Sequence, residues 1–221
     1  MLDNLPWHAL HTEHARFAMM RQLASLLAPG ETIYLMGDPP EVVPELVYGE
    51  IFPCLQMTSP ASVAPESQDA GVVGLTCDDA AAMVGLTDVA FPGFFRARTC
   101  EMGSYFGMFD GDELVAMGGE RLVVPDWREI SGVCTRPGYT GRGYAARLIT
   151  RLLREHAGAG MDSFLLVNRA NTRAIGLYAH LGFSLRREIP RNSSGGREGA
   201  IAETPKNFHF RPGALLKNLA V

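Results

Sequence analysis

The residues that most clearly suggest chemistry are three glycines in the short run between Val133 and Ala145. Gly138, Gly141 and Gly143 follow an apolar stretch and precede an amphipathic one, which predicts a loop between a strand and a helix. Glycines let a backbone approach an anion closely, and the free N–H groups of the first helical turn point toward that anion. The run therefore predicts a site for a phosphate or pyrophosphate group.

Two common phosphate-binding motifs do not match this run. No Gly-Lys-Ser/Thr follows the glycines, as the phosphate loop of nucleotide hydrolases requires. The spacing Gly138-x-x-Gly141-x-Gly143 differs from the dinucleotide fingerprint, and the preceding strand follows a hairpin instead of opening a βαβ unit. The glycines alone leave the ligand unnamed, and a purely structural turn remains an alternative.

The elements that must position this loop are predicted from periodicity and turn residues, with Asp110-Gly111 turning a β-hairpin. In order they are a helix capped by Asp78 and running to Leu86, strands at 104–109, 114–124 and 129–134, a helix at 142–156, a strand at 163–167, a helix at 171–181 and a strand at 183–189. This order predicts an α/β fold with a mixed central β-sheet flanked by helices.

The first 70 residues are predicted to form a smaller N-terminal α/β lobe of unknown role. Its predicted elements are a helix at 6–28, a strand at 32–36, a short helix at 44–48, a strand at 51–58 weakened by Pro53, and a linker at 58–70. The second domain then spans residues 71–221. Its polar tail from about residue 190 is predicted to be mobile as far as 203, with a last strand at 207–210.

Composition excludes several classes of partner. The net charge of −4 shows no basic excess, so neither nucleic acid nor an anionic membrane is expected to bind. No export signal and no apolar run of about 18 residues is found, which predicts a cytoplasmic protein. The four cysteines have no metal or redox spacing, so reduced thiols and no metal site are expected. A homo-oligomer stays open.

Two blocks of residues resemble the GNAT superfamily of N-acetyltransferases. Thr140-Gly141-Arg142-Gly143-Tyr144-Ala145 is similar to the acyl-CoA-binding motif, whose usual form is Gln/Arg-x-x-Gly-x-Gly/Ala. The run from Asn171 to Phe183 is similar to the family's Asn-x-x-Ala-x-x-Leu-Tyr-x-x-x-Gly-Phe signature. The resemblance covers roughly residues 75–190, and some phrases look closest to a bacterial branch near glycine N-acyltransferase-like members.

The resemblance implies acetyl-CoA as a co-substrate and a V-shaped gap for it between the strands at 129–134 and 163–167. Thr140 stands where the family usually has Gln or Arg, which implies weaker coenzyme A binding through a lost side-chain contact. The residues implied in coenzyme A binding are Val133, Cys134, Thr135, Thr140, Gly141, Arg142, Gly143, Tyr144, Ala145, Asn171 and Tyr178.

The resemblance also implies catalytic roles. Tyr178 matches the tyrosine that protonates the departing thiolate; the alternative is a packed ring with its hydroxyl on a carbonyl. Glu129 lies eleven residues before Thr140, which matches the carboxylate base of histone-modifying members. Glu120 is the rival base, and a solvated or ion-paired carboxylate is the alternative for both. Cys134 is expected to be a packed residue, not a nucleophile.

The function predicted from these residues is transfer of an acetyl group from acetyl-CoA to a primary amine, on a small molecule or a peptide, by direct attack in a ternary complex. Two other functions stay open at this point. One is a non-catalytic acyl-CoA-binding or sensor protein on the same fold. The other is thioester cleavage without an amine acceptor.

Overall fold

A computed structural model describes residues 13–27, 32–36, 42–63, 70–92 and 95–196. These residues fall into two compact units. Among the described residues, one unit runs up to Cys54 and includes residues 188–196, and the other spans Leu55 to Arg187. The division thus falls after Cys54, whereas the sequence analysis placed a domain boundary near residue 70.

The larger unit is built on a mixed β-sheet, as predicted. Its strands lie in the order β8-β2-β7-β6-β5-β4-β3. Their bounds are β2 Leu46–Ser59, β3 Val73–Leu75, β4 Tyr105–Asp110, β5 Glu113–Val124, β6 Trp127–Thr135, β7 Asp162–Asn168 and β8 Ser184–Gly196, of which β2 and β8 also extend into the smaller unit. Strands β3 to β6 pair antiparallel, and β7 runs parallel to β6.

Three helices belong to the larger unit: α2 Ala80–Ala90, α3 Tyr144–Gly158 and α4 Thr172–His180. Helix α3 buries an apolar stripe that includes Leu148, Ile149 and Leu152 in a cluster with residues of β5 to β7 and α4. Helix α2 belongs to a separate cluster with Tyr105, Met117 and Cys134. The two clusters are the cores on the two sides of the sheet.

The smaller unit contains helix α1 Glu13–Leu26 and strand β1 Thr32–Met36. Strand β1 pairs antiparallel with the end of β8, from Thr32 opposite Gly195 to Met36 opposite Arg191. The buried side chains of Met20, Val43 and Leu46 form its core. The strand predicted at 32–36 is confirmed. The helix predicted at 6–28 is confirmed from Glu13 to Leu26, and residues 1–12 lie outside the described part.

Four local predictions need correction. Pro44 and Glu45 form a turn that leads directly into β2, so there is no helix at 44–48. Strand β2 tolerates Pro53 and runs to Ser59, and β8 extends to Gly196 where a mobile tail was predicted. The helical turn before α2 is capped by Thr76, whose hydroxyl accepts from the Asp78 N–H, instead of by Asp78. The strand predicted at 207–210 lies outside the described residues.

The prediction that all four cysteines are reduced is wrong for two of them. Cys77 and Cys100 form a disulfide, with their Cα atoms 5.4 Å apart, while Cys54 and Cys134 are free and buried. The spacing of 23 residues gave no signal because a disulfide needs proximity in space, which the turn before α2 and the segment Thr99–Met102 provide. No helix in the described part of the chain has the length and apolar character to span a membrane.

Candidate active site

The gap between β6 and β7 is the first feature of the site. The two strands pair only at Trp127 with Asp162, Arg128 with Ser163 and Glu129 with Phe164. Both strands continue beyond Glu129 and Phe164, but this ladder does not continue with them. The parallel edge of β6 from Ile130 onward is therefore available to a ligand.

A β-bulge lies in β6 just beyond the end of that pairing. Gly119 pairs with Ser131 and Met117 pairs with Cys134, so Gly132 and Val133 together face the single residue Gly118. Gly132 has a φ of 66°, which favours glycine. A bulge leaves a backbone group outside the strand ladder, so the backbone of Gly132 and Val133 is available for a contact that regular pairing with β5 would use.

The glycine loop follows β6 and ends at the start of α3. Gly138, Gly141 and Gly143 all have positive φ values, of 90°, 82° and 76°. Gly143 is the N-cap of α3, and no side chain caps that terminus. The first N–H groups of α3 consequently remain free for an anion, and the helix dipole adds to their attraction.

A pocket of about 170 Å³ lies between this loop and helix α4. It is lined by Thr135, Tyr139, Gly141, Gly143, Tyr144, Ala145, Ala146, Arg173 and Leu177. Glycine at 141 and 143 leaves the space beside the backbone open, with no neighbouring atom within 4 Å of an added Cβ. Backbone donors, an arginine and apolar walls together suit a pyrophosphate followed by an apolar arm.

The other predicted coenzyme A ligands lie outside the lining of this pocket. Cys134 is buried among the residues that pack on α2, and burial raises the pKa of its thiol to about 12. This places the thiol in the core, as expected, and away from a nucleophilic role. Thr140 and Arg142 are exposed, and Arg142 stacks on the ring of Tyr139 at 4.6 Å. Asn171 caps α4 by accepting from the Ala174 N–H at 3.1 Å.

Tyr178 is buried on α4 with its hydroxyl unengaged. Its ring meets that of Phe183 edge to face, with centroids 5.9 Å apart. Burial raises the pKa of Tyr178 to about 12, so the phenol keeps its proton at neutral pH. Within the described residues the hydroxyl makes no hydrogen bond, which disagrees with a hydroxyl held on a carbonyl and leaves the O–H free to donate.

Glu129 is buried beside the last paired residues of β6. Its carboxylate is bound in bidentate fashion by Arg121, with Nε donating to Oε2 at 3.1 Å and Nη2 donating to Oε1. The Glu129 side chain is 1% exposed and that of Arg121 is 39% exposed. Glu129 is therefore near the gap and bound by an arginine that reaches solvent.

Glu120 lies in a different network from Glu129. Oε1 accepts from Arg128 Nη1 at 2.9 Å, Oε2 accepts from the Ser104 N–H at 2.9 Å, and His156 Nε2 lies 2.9 Å from Oε1. Burial opposes the charge, yet the contacts with His156, the Ser104 N–H and Arg128 outweigh it and lower the pKa of Glu120 to about 2. Both predicted bases are ion-paired, and neither is a solvated strand end.

Comparison with known proteins identifies the family. Residues 105–191 match the family model for the FR47-like protein. A crystal structure of a protein assigned to the GNAT family of acetyltransferases, from Novosphingobium aromaticivorans, is 35% identical over 81% of each chain, with a TM-score of 0.74. The chain belongs to the GNAT family.

Other comparisons add to the fold alone. A GNAT-family acetyltransferase from Colwellia psychrerythraea is 15% identical, and the match covers 85% of this chain and 74% of that one with a TM-score of 0.54. No curated protein matches the chain. Membership of the GNAT family, which rests on the Novosphingobium match, supports an acyl-CoA-dependent acetyltransferase in general. The branch near glycine N-acyltransferase-like proteins stays a prediction.

The GNAT fold brings together residues that sequence reasoning missed. Arg173 and Leu177 line the pocket from α4, and their spacing of four residues on a helix places them on one face. Gly132 was missed as the site of the bulge, although a glycine inside a strand pattern is a known signal for one. His156 and Ser163 were missed because their contact joins two elements that only the fold brings together.

Proposed function

We propose that this GNAT protein transfers an acetyl group from acetyl-CoA to a primary amine, by direct attack in a ternary complex. The observation that carries the proposal is the pocket between the glycine loop and α4, which opens where the free N–H groups of α3 begin. A pyrophosphate at those N–H groups would leave the rest of an acyl-CoA next to the end of β6, because Thr135 at that end lines the same pocket.

The residues around the pocket suit coenzyme A as a substrate. The amides of Gly141 to Ala145 and the guanidinium of Arg173 would bind the pyrophosphate, while Leu177 offers an apolar contact for the pantetheine arm. Backbone groups of Val133, Cys134 and Thr135 along β6 would pair with the amides of that arm. The bulged N–H at Gly132 or Val133 is suited to polarise the thioester carbonyl, as an oxyanion-hole donor does.

Glu129 and Tyr178 suit the two proton transfers. An ammonium acceptor gives one proton to Glu129, whose oxygens keep further lone pairs beside the Arg121 contact, and that proton later passes to water. The free amine attacks the thioester carbon, the C–N bond forms, and the C–S bond breaks. Tyr178 donates its proton to the departing thiolate and is restored by the proton that the new amide nitrogen loses.

The defining experiment measures thiol release from acetyl-CoA with and without a panel of primary amines, with mass spectrometry of the acceptor. We expect thiol release that depends on the amine and an acceptor heavier by one acetyl group. Release without an amine would indicate thioester cleavage, and binding of acetyl-CoA with no release would indicate a sensor. Either result contradicts the proposal.

Replacement of Tyr178 by Phe tests the proton donor. We expect kcat to fall by about 100-fold, because a positioned general acid contributes that order of rate, with little change in the Kd of acetyl-CoA. Tyr48→Phe is the matched control, since it removes a hydroxyl that accepts from the Val43 N–H in the smaller unit. A Tyr178→Phe protein with unchanged kcat would leave Tyr178 without a catalytic role.

A further inference from the structure

Three buried polar side chains from different elements meet behind the gap. His156 comes from the last turn of α3, Ser163 from the start of β7, and Glu120 from the middle of β5. Their exposed fractions are 0%, 2% and 2%. The His156 Nδ1 atom lies 2.7 Å from the Ser163 Oγ atom, and its Nε2 atom lies 2.9 Å from a Glu120 carboxylate oxygen.

The position of this trio in the sheet is specific. Ser163 is opposite Arg128, one residue before the last pair of β6 and β7. Arg128 itself donates to Glu120. The imidazole of His156 therefore connects β5 to β7 across β6, at the point where β6 and β7 begin to separate.

We propose that Glu120, His156 and Ser163 form a brace that fixes the vertex of the gap, and that they are positioning residues for acetyl transfer. This inference rests on the proposed function. It assigns Glu120 to positioning, leaving Glu129 as the base. The brace acts through three groups: the bulged amides of β6, the Glu129 carboxylate next to Arg128, and helix α3.

Helix α3 explains why a contact at its end reaches the acyl-CoA. The helix has 15 residues, which at 1.5 Å per residue makes it about 22 Å long. The N–H groups at its N-terminus, here called the cradle, would bind the pyrophosphate, and its C-terminal turn holds His156. A helix moves as a rigid body, so losing the contact at His156 would also displace its N-terminus. The brace therefore fixes the distance between the cradle and the gap.

Glu120 accepts hydrogen bonds from Arg128 and from the Ser104 N–H. The Nδ1 atom of His156 is within hydrogen-bond distance of the Ser163 hydroxyl, while its Nε2 atom lies 2.9 Å from the Glu120 carboxylate without hydrogen-bond geometry. Gly103 contributes as well, because a Cβ at that position would overlap the Glu120 side chain. Apolar side chains of similar volume would fill the same space without the desolvation penalty of buried charges. The polar brace is therefore suited to fixing one geometry of the site.

The test removes one link at a time. Ser163→Ala deletes the hydroxyl that His156 contacts and leaves the Glu120 contacts in place, whereas His156→Gln keeps polarity at the site without the imidazole bridge. We expect each variant to lower kcat/KM for acetyl-CoA by about 10- to 100-fold, since a misplacement of about 1 Å has costs of that order. The loss should lie in both kcat and KM, because the cradle and the gap both move.

Two controls separate positioning from stability. Thr87→Val removes another buried hydroxyl, which bonds to Met83 and Val84 carbonyls within α2, and should leave both kinetic constants within about twofold. Ser163→Cys keeps the volume of the side chain and should recover part of the activity. Assays are run well below the melting temperature of each variant, so that unfolding does not lower the measured activity. In addition, the β6 amides should exchange hydrogen faster in Ser163→Ala than in the wild-type protein.

The outcomes decide the proposal. It is overturned if Ser163→Ala and His156→Gln keep wild-type kcat and KM, or if Thr87→Val loses activity equally for an equal loss of stability. If the wild-type protein transfers no acetyl group, the proposed function fails instead. The brace is then tested by the Kd of acetyl-CoA and by hydrogen exchange of β6, neither of which needs turnover.

Discussion

The hairpin of β5 and β6 carries two ion pairs that look alike in sequence and differ in structure. Arg121 binds Glu129, and Arg128 binds Glu120. Each pair joins an arginine of one strand to a glutamate of the other. Because neighbouring residues in a strand point to opposite faces, the two pairs lie on opposite sides of the sheet.

The surroundings of the two carboxylates are different. Glu120 lies on the side of α3, where His156 and the Ser104 N–H add to its contact with Arg128. Glu129 lies toward Tyr105, a buried residue packed with α2, and its side-chain partner is Arg121. The Tyr105 ring fits there because a Cβ on Gly119 would overlap it. Burial raises the pKa of Tyr105 to about 12, so it adds no charge.

This difference shows how one hairpin serves two purposes. A carboxylate with several fixed donors has no free capacity for a substrate proton, so Glu120 suits structure. A carboxylate whose side-chain partner reaches solvent can be approached when that partner moves, so Glu129 suits chemistry. The exposed fractions of Glu120 and Glu129 are nearly the same, at 2% and 1%. The difference in their proposed roles therefore comes from their partners and not from their burial.

The largest expected effect is that of Glu129→Gln. We predict that kcat falls by about 100- to 10,000-fold, the range for a positioned general base, and that the acidic limb of the pH–rate profile disappears. The matched change Glu120→Gln should retain that limb, because the pKa of Glu120 is about 2 in the folded wild-type protein, so Glu120 is not the group that takes up a proton over that limb. The measurement is kcat against pH for both variants with one amine acceptor.

The opposite pair of pH–rate profiles would contradict the roles proposed for Glu120 and Glu129. If Glu120→Gln removes the acidic limb and Glu129→Gln keeps it, Glu120 is the base and Glu129 is not. If both variants keep the limb, the proton goes to water or to another group. Circular dichroism should show that both variants remain folded.

The next effect is on stability at low pH and concerns Glu120 alone. Its pKa is about 2 in the folded protein, below the ordinary 4.5, so its charge stabilises the fold above pH 4.5 and this contribution is lost as the pH falls toward 2. The loss is on the order of 3 kcal/mol. Denaturant unfolding of the wild-type protein should therefore show a steeper fall between pH 5 and pH 2 than that of Glu120→Gln.

An equal acid dependence in the two proteins would contradict a depressed pKa for Glu120. Glu101 is a suitable control, since Arg98 binds it at the surface with both groups exposed. Replacement of Glu101 by Gln should change the acid dependence of stability little, because solvent screens exposed pairs.

Sequence patterns predicted the local parts of this site well. Glycines at 138, 141 and 143 indicated a loop of unusual backbone angles, and all three have positive φ. The helix after them and the Asn171 cap also follow from local rules, since periodicity and capping are properties of neighbouring residues. The mixed sheet followed from the order of the elements.

Contacts between distant elements could not be predicted in this way. His156 and Ser163 are seven residues apart, but their link to Glu120 depends on how α3 lies on the sheet. Strand β2 lies between β7 and β8 although it comes from the first part of the chain. The disulfide between Cys77 and Cys100 likewise depends on proximity in space. Such pairings are set by packing, which a single sequence does not encode in any short window.

The smallest expected effect distinguishes the two arginines. Replacing Arg121 by Met removes the side-chain partner of Glu129 and the two hydrogen bonds that fix the position of its carboxylate. We predict that kcat falls by about tenfold, because a misplaced catalytic group costs rate, with a smaller loss in Arg121→Lys because Lys keeps the charge without the bidentate geometry. Arg128→Met should lower kcat less than Arg121→Met does, since Glu120 keeps its contacts with His156 and the Ser104 N–H. A loss of kcat in Arg128→Met as large as that in Arg121→Met would mean that the two ion pairs act as one unit, and that the two faces of the hairpin are not independent.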